Sequence, residues 1–96
     1  MDRRNLAIYG AGYAGLHIFE ELNQLSNINI ICFVDDNKNF REKKIRNIKI
    51  ISPDEFNIKV INLEIDELII AIPSASSVSI KRIYNSYLKK IPIIKV

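Results

Sequence analysis

Five short apolar segments are spaced along the chain and separated by stretches of mixed polarity. Within each segment the apolar residues follow one another almost without interruption. A strand with one face in water would instead alternate apolar and polar residues. Short continuous runs are typical of strands buried on both faces of a parallel sheet. The predicted strands are Leu6–Tyr9, Ile28–Val34, Ile48–Ile51, Leu68–Ile72 and Pro92–Val96.

Helical spacing marks the stretches between these runs. From Tyr13 to Leu25, apolar residues recur at intervals of three and four, as on a helix with one buried face. Ser52 and Pro53 indicate a second helix start, because serine caps helices and proline suits the first helical position. A third helix is predicted over Ser76–Ile91, with an apolar stripe of Ile80, Ile83, Tyr84, Tyr87, Leu88 and Ile91.

The order of these elements is β-α-β-β-α-β-α-β, with the polar connection 35–47 predicted to be a loop. Alternating strands and helices indicate a parallel sheet joined by right-handed crossovers. We therefore predict an α/β fold, a Rossmann-like three-layer α/β/α sandwich with a five-stranded parallel sheet in the order 3-2-1-4-5. The 96 residues are predicted to form one domain over 1–96.

The segment IYGAGYAG carries a G-x-G-x-x-G motif between the first strand and the first helix. In such a motif the first glycine makes a tight turn, the second admits a pyrophosphate, and the third lets the helix pack closely. The helix N-terminus adds N–H groups and the positive end of its dipole. The expected contacts, largely through the backbone, are Gly10, Ala11, Gly12, Tyr13, Ala14 and Gly15. The alternative is a tight turn that binds nothing.

Two acids, Asp35 and Asp36, end the second predicted strand, 20 residues after Gly15 in the case of Asp35. This is the place of the carboxylate that binds ribose hydroxyls in dinucleotide-binding domains. An acid there favours NAD over NADP, since it would repel a 2′-phosphate. The alternative is that both acids only solvate a loop.

The loop after the fourth predicted strand should lie at the same carboxyl edge of the sheet, where open α/β sheets bind ligands. Pro73, Ser74 and Ser76 are expected to close that crevice. Capping of the next helix is an equal alternative for the serines, and both roles are compatible.

Composition narrows the function classes. A net charge of +3 is too small to argue for a nucleic-acid partner, and no apolar run is long enough to span a membrane. The single cysteine, Cys32, excludes an internal disulfide and is predicted to be a buried, inert thiol. The basic segment KNFREKKIRNIK is predicted to be a solvated loop, with Lys44 as a weaker candidate for overhanging the crevice.

Catalytic machinery is missing from the sequence. The one histidine, His17, has no metal-ligand spacing with cysteines or acids, and no Ser-His-Asp set or Tyr-x-x-x-Lys pair occurs. We predict no catalytic residue and no metal site. A stand-alone oxidoreductase ranks low, because 96 residues leave no room for a substrate domain.

The pieces NLAIYGAGYAG, ICFVDDNKNFREKKIRNIKI and DELIIAIPSAS resemble one family. It is the N-terminal Rossmann-like, coenzyme-A-binding-like domain of bacterial polysaccharide-biosynthesis nucleotide-sugar epimerases and 4,6-dehydratases. The resemblance covers Arg4–Val96. It implies a cytoplasmic domain taken from a longer enzyme at the inner membrane. In that family membrane helices precede the domain, and a short-chain dehydrogenase domain that carries out catalysis follows it.

Two functions are therefore expected in order. The first is binding of NAD or a nucleotide sugar, with coenzyme A as a further alternative, in a domain that is not itself catalytic. The second is a structural or regulatory module with a vestigial nucleotide site, which positions the membrane and catalytic parts or pairs with a copy of itself. Exposure of Tyr84, Tyr87 and Ile91 as an apolar patch would support the module.

Overall fold

The computed structural model describes residues 3–62, 65–73 and 75–96. The strands of the described chain are β1 (Arg4–Tyr9), β2 (Ile28–Val34), β3 (Lys44–Ile45), β4 (Ile48–Ile51), β5 (Glu67–Ile70) and β6 (Ile93–Lys95). The helices are α1 (Tyr13–Leu22), α2 (Pro53–Asn62) and α3 (Ser77–Tyr87), with a short 3-10 helix at Lys38–Phe40. Each of these helices is too short or too polar to cross a membrane.

The strands form one sheet in the order β3-β4-β2-β1-β5-β6. All neighbours are parallel except β3 and β4, which form an antiparallel pair at one edge. The Rossmann-like α/β architecture is as predicted, but the five-stranded, all-parallel sheet is wrong in detail. The five predicted strands keep the relative order 3-2-1-4-5, and β3 is added outside them.

The added strand lies in the segment that the sequence predicts to be a loop. Arg46 and Asn47 have φ angles of 50° and 69° and connect β3 to β4. Two consecutive residues with positive φ form the tight hairpin turn that matches strand twist. The hydrophobic pattern misses β3 because this strand has two residues, one of them the exposed Lys44.

Two apolar cores lie on opposite faces of the sheet. On one face Phe19 of α1 packs against Phe33 of β2, with ring centroids 5.7 Å apart. On the other face Phe56 of α2 packs against Tyr87 of α3, with centroids 5.2 Å apart. The predicted burial of Cys32 is confirmed, and burial raises the pKa of its thiol to about 12. The thiol is therefore protonated and unreactive at neutral pH.

The helix boundaries follow the capping residues. Ser52 accepts a hydrogen bond from the Glu55 N–H at 3.1 Å, which begins α2 at Pro53 as predicted. The first helix ends earlier than predicted, at Leu22, and leaves Leu25 exposed. Leu88, predicted to lie on the stripe of α3, is 50% exposed because it follows the last helical residue.

β5 begins at Glu67, one residue before its predicted start at Leu68, and this first residue is a buried acid. Glu67 is 2% exposed, and its carboxylate lies 3.4 Å from an Arg4 nitrogen and 3.3 Å from the Lys95 ammonium. Both cations come from the strands that flank β5. A prediction based on apolar runs does not include Glu67, because glutamate is seldom buried unless its charge is paired.

Candidate functional site

Two of the three glycines, Gly10 and Gly12, lie in the turn between β1 and α1, and the third, Gly15, lies in the first turn of α1. Gly10 has a φ of 120°, which side chains rarely tolerate, and donates its N–H to the Val34 carbonyl at 2.7 Å. A Cβ at Gly10 would overlap the backbone oxygen of Ala71, and a Cβ at Gly15 would overlap the oxygen of Gly10. Packing therefore requires glycine at both positions, as the motif predicts.

Gly12 differs from the other two glycines. A Cβ there would meet no atom within 4 Å outside its two chain neighbours, and its φ of −83° suits any residue. Gly12 is the N-cap of α1 and no side chain caps this helix. The N–H groups of Gly12, Tyr13 and Ala14 donate to none of the described residues. The turn thus presents unused donors at the positive end of a helix to open space.

Tyr13 does not cover this opening. Its side chain is 90% exposed and lines a shallow depression on α1 with Leu16, His17 and Glu20. His17 lies 3.4 Å from Glu21, one turn along the helix, and both side chains are exposed. These residues form the solvent face of α1, and the site lies at its end.

Asp35 has a structural task that the sequence does not indicate. One carboxylate oxygen accepts the Ala11 N–H at 2.8 Å, and the other accepts the Asn37 N–H at 2.8 Å. The carboxylate thereby fixes the glycine turn to the end of β2. The Ala11 N–H thus donates to Asp35 in the domain without ligand, and its contact with a pyrophosphate stays a prediction.

We expect Asp35→Asn to lower the free energy of unfolding by about 2 kcal/mol, because one of two charge-assisted hydrogen bonds is replaced by two facing donors. Asp36→Asn is the matched control. It keeps an oxygen that can accept a hydrogen bond and should change stability by less than about 0.5 kcal/mol. Urea unfolding followed by circular dichroism measures both, and equal effects of the two variants would contradict this role.

Asp36 is the exposed acid at this edge, and Tyr9 reaches it from β1. The Tyr9 hydroxyl donates to a carboxylate oxygen of Asp36 at 3.2 Å. Burial, and then the charge of Asp36, raise the pKa of Tyr9 above its usual range. The sequence pattern places Tyr9 in a predicted strand and does not indicate this contact. Its signal was a phenol placed immediately before the first glycine.

The segment after β5 forms the other side of the crevice. The Ala71 N–H donates to the Tyr9 carbonyl at 2.8 Å, which holds this segment against the glycine turn. Pro73 follows and is exposed. Ser76 is the N-cap of α3 and accepts the Ser79 N–H at 3.1 Å, so its capping role is confirmed. The third residue predicted here, Ser74, lies outside the described residues.

The β3–β4 hairpin, which carries the second half of the basic segment, lies two strands away from the glycine turn. Lys44 pairs with Lys49 across the β3–β4 hairpin, and two strands separate β3 from β1. Arg46 is hydrogen bonded to Glu20 of α1 at 2.6 Å. Lys44 is therefore not brought to the glycine turn. Across residues 3–62, 65–73 and 75–96, no three His, Cys, Asp or Glu residues are grouped as metal ligands.

Solved structures resemble this chain over nearly its whole length. UDP-D-quinovosamine 4-dehydrogenase from Vibrio fischeri is 30% identical and superposes with a TM-score of 0.86, over 95% of this chain and 75% of that one. RSP, a Rex-family repressor, in complex with β-NADH is 18% identical with a TM-score of 0.80, over 99% of this chain and 54% of that one. The likeness to RSP supports the fold alone.

An engineered D-amino acid dehydrogenase bound to NADP⁺ has a TM-score of 0.72 at 10% identity, over 97% of this chain and 27% of that one. A comparison with proteins of curated function finds no match. These likenesses establish a Rossmann-like domain. The profile of the C2185-like N-terminal family matches residues 2–94, nearly the full length. The chain belongs to the C2185-like N-terminal family.

Proposed function

We propose that this domain binds NAD or a nucleotide sugar at the carboxyl edge of its sheet. The observation that carries the proposal is the uncapped N-terminus of α1, where open space faces Gly12. A helix N-terminus with free N–H groups and no side chain in front suits a pyrophosphate. The name of the Vibrio fischeri relative, a UDP-sugar dehydrogenase, supports a nucleotide as the ligand.

Each part of the proposed ligand is assigned to particular residues at this edge of the sheet. Its pyrophosphate contacts the N–H groups of Gly12, Tyr13 and Ala14, and Gly10 and Gly15 shape the turn. Asp36 accepts hydrogen bonds from a ribose. Asp35 acts indirectly, by holding the turn in place. Pro73, Ser74 and Ser76 contribute the opposite lip of the crevice.

We further propose that the domain serves a longer enzyme of polysaccharide biosynthesis, a nucleotide-sugar epimerase, dehydratase or dehydrogenase at the inner face of the membrane. The sequence resemblance supports this placement, and the name of the Vibrio fischeri relative, a UDP-sugar dehydrogenase, supports an enzyme that acts on a nucleotide sugar. In this proposal catalysis belongs to another part of the enzyme, and this domain supplies nucleotide binding.

The alternative function, a structural or dimerisation module, loses its main support. Tyr87 and Ile91 are 4% and 2% exposed and belong to the core between the sheet and the helices. Tyr84 is half-buried and packs against the same core. The patch that would have favoured a protein partner is therefore used within the domain.

Calorimetric titration with NAD⁺, UDP-N-acetylglucosamine and coenzyme A tests the proposal. We expect saturable binding of NAD⁺ or the UDP-sugar. Asp36→Asn should weaken it about tenfold, since the charge and one of the two acceptor oxygens offered to the ribose hydroxyls are lost. Glu21→Gln, which removes an exposed acid on α1, is the matched control and should leave affinity unchanged. No binding of any of the three ligands would refute the proposal.

A further inference from the structure

A second polar groove lies between α2 and α3, on the face of the sheet opposite α1. Its volume is about 390 Å³. Its floor includes the rings of Tyr9 and Tyr87, which lie 6.5 Å apart. Pro53 and Asn57 line it from α2. The proposed pyrophosphate site is at the N-terminus of α1, so the groove is a separate feature.

The floor of the groove carries two ordered hydroxyl groups. Tyr87 donates to the amide oxygen of Asn57 at 2.6 Å, and Tyr9 donates to Asp36 at 3.2 Å. The first bond fixes the Asn57 side chain and leaves its NH₂ group as a donor. The polar atoms of the groove are therefore held in place by the fold.

The α3 wall is cationic. Arg82 and Ser86 are spaced by four residues, which puts them on one side of α3, and both line the groove together with Lys90, which follows the helix. Arg82 and Lys90 form no ion pair with a described residue. The charge of Arg82 reaches the floor, where it acts against the burial that raises the pKa of Tyr9 and Tyr87.

Two acids balance the charge at the rim. Asp36 contacts Tyr9, and the charges of Asp36 and Asp54 both raise the pKa of Tyr87. Both acids lie near the carboxyl edge of the sheet, at the end of β2 and the start of α2. Lys90 lies just beyond the other end of α3. Lys90 therefore lies at the end of the groove away from these two acids, and Asn57 lines the same groove.

We propose that this groove binds a small metabolite through a phosphate or carboxylate group, at a site distinct from the glycine turn. The oxyanion accepts hydrogen bonds from Arg82, Asn57 and Lys90, which together supply donors of the kind that both groups require. The two sites meet at the hydrogen bond between Tyr9 and Asp36.

The test uses inorganic phosphate and citrate as probes, with amide chemical shifts in ¹H–¹⁵N spectra as the readout. The double variant Arg82→Gln/Lys90→Gln removes the cations of the groove. The matched double variant Lys81→Gln/Lys89→Gln removes the same net charge from neighbouring positions that do not line it. We expect the first to weaken binding at least about tenfold and the second to leave it unchanged.

The two probes distinguish the ligand classes, since tighter binding of phosphate or of citrate identifies which oxyanion fits. Gly12→Ala separates this site from the glycine turn, and in that variant the shifts of Ser86 and Lys90 should persist. If both double variants bound the probes equally weakly, the loss would be explained by net charge alone and the proposal would be overturned. So would shifts confined to residues 12–14, or the absence of saturable binding by either probe.

Discussion

Gly10→Ala is expected to lower the free energy of unfolding by about 3–5 kcal/mol, which is a large share of the stability of a domain of this size. Two independent effects add at this position. The φ of 120° is strained for alanine, and the new Cβ would overlap the backbone oxygen of Ala71. That oxygen cannot move freely, because the Ala71 N–H is bonded to Tyr9 in the sheet.

Urea unfolding of the wild type, Gly10→Ala and Gly12→Ala measures this effect. Gly12 is the matched control, since its φ is ordinary and, apart from its two chain neighbours, no described residue has an atom within 4 Å of the added Cβ. Gly12→Ala should therefore cost less than about 1 kcal/mol, the usual loss when alanine replaces an N-cap residue. If Gly10→Ala were as stable as Gly12→Ala, the close approach of the turn to β5 would be wrong.

Gly12→Ala is expected to lower ligand affinity and to leave stability nearly unchanged, whereas Gly10→Ala lowers stability. The domain should fold normally and bind its nucleotide about a hundredfold more weakly, because the methyl group occupies the space through which a pyrophosphate reaches the backbone. Calorimetry with NAD⁺ or the UDP-sugar measures this loss. Lys81→Gln, an exposed change on α3, is the control and should bind like the wild type. A folded Gly12→Ala domain with unchanged affinity would remove the glycine turn from the site.

The architecture could be predicted because its determinants are local. Runs such as INIICFV are apolar throughout, and serine caps with helical spacing mark α2 and α3. The roles of Gly10 and Gly15 followed from the motif for the same reason, since the turn dictates where a side chain would collide. The short strand β3 escaped prediction, because its pairing depends on a tight hairpin turn and not on hydrophobic burial.

The fine structure of the site could not be predicted, because it depends on contacts between distant residues. Asp35 and Asp36 are adjacent and chemically identical, yet one binds the glycine turn and the other meets Tyr9. Which acid does which depends on how β2 ends beside β1. The groove between α2 and α3 likewise could not be predicted from the sequence, because Asn57 and Tyr87 are brought together by the packing of two helices.

The central claim is that the first turn of α1 binds a nucleotide pyrophosphate. A titration with NAD⁺ and the UDP-sugar, followed through the amide resonances of Gly12, Tyr13 and Ala14, tests it most directly. The account predicts that these three resonances shift together and saturate with one ligand, and that the Tyr13 and Ala14 resonances fail to shift at the same ligand concentrations in Gly12→Ala. Unmoved resonances at saturating ligand, or shifts found only elsewhere in the domain, would contradict it.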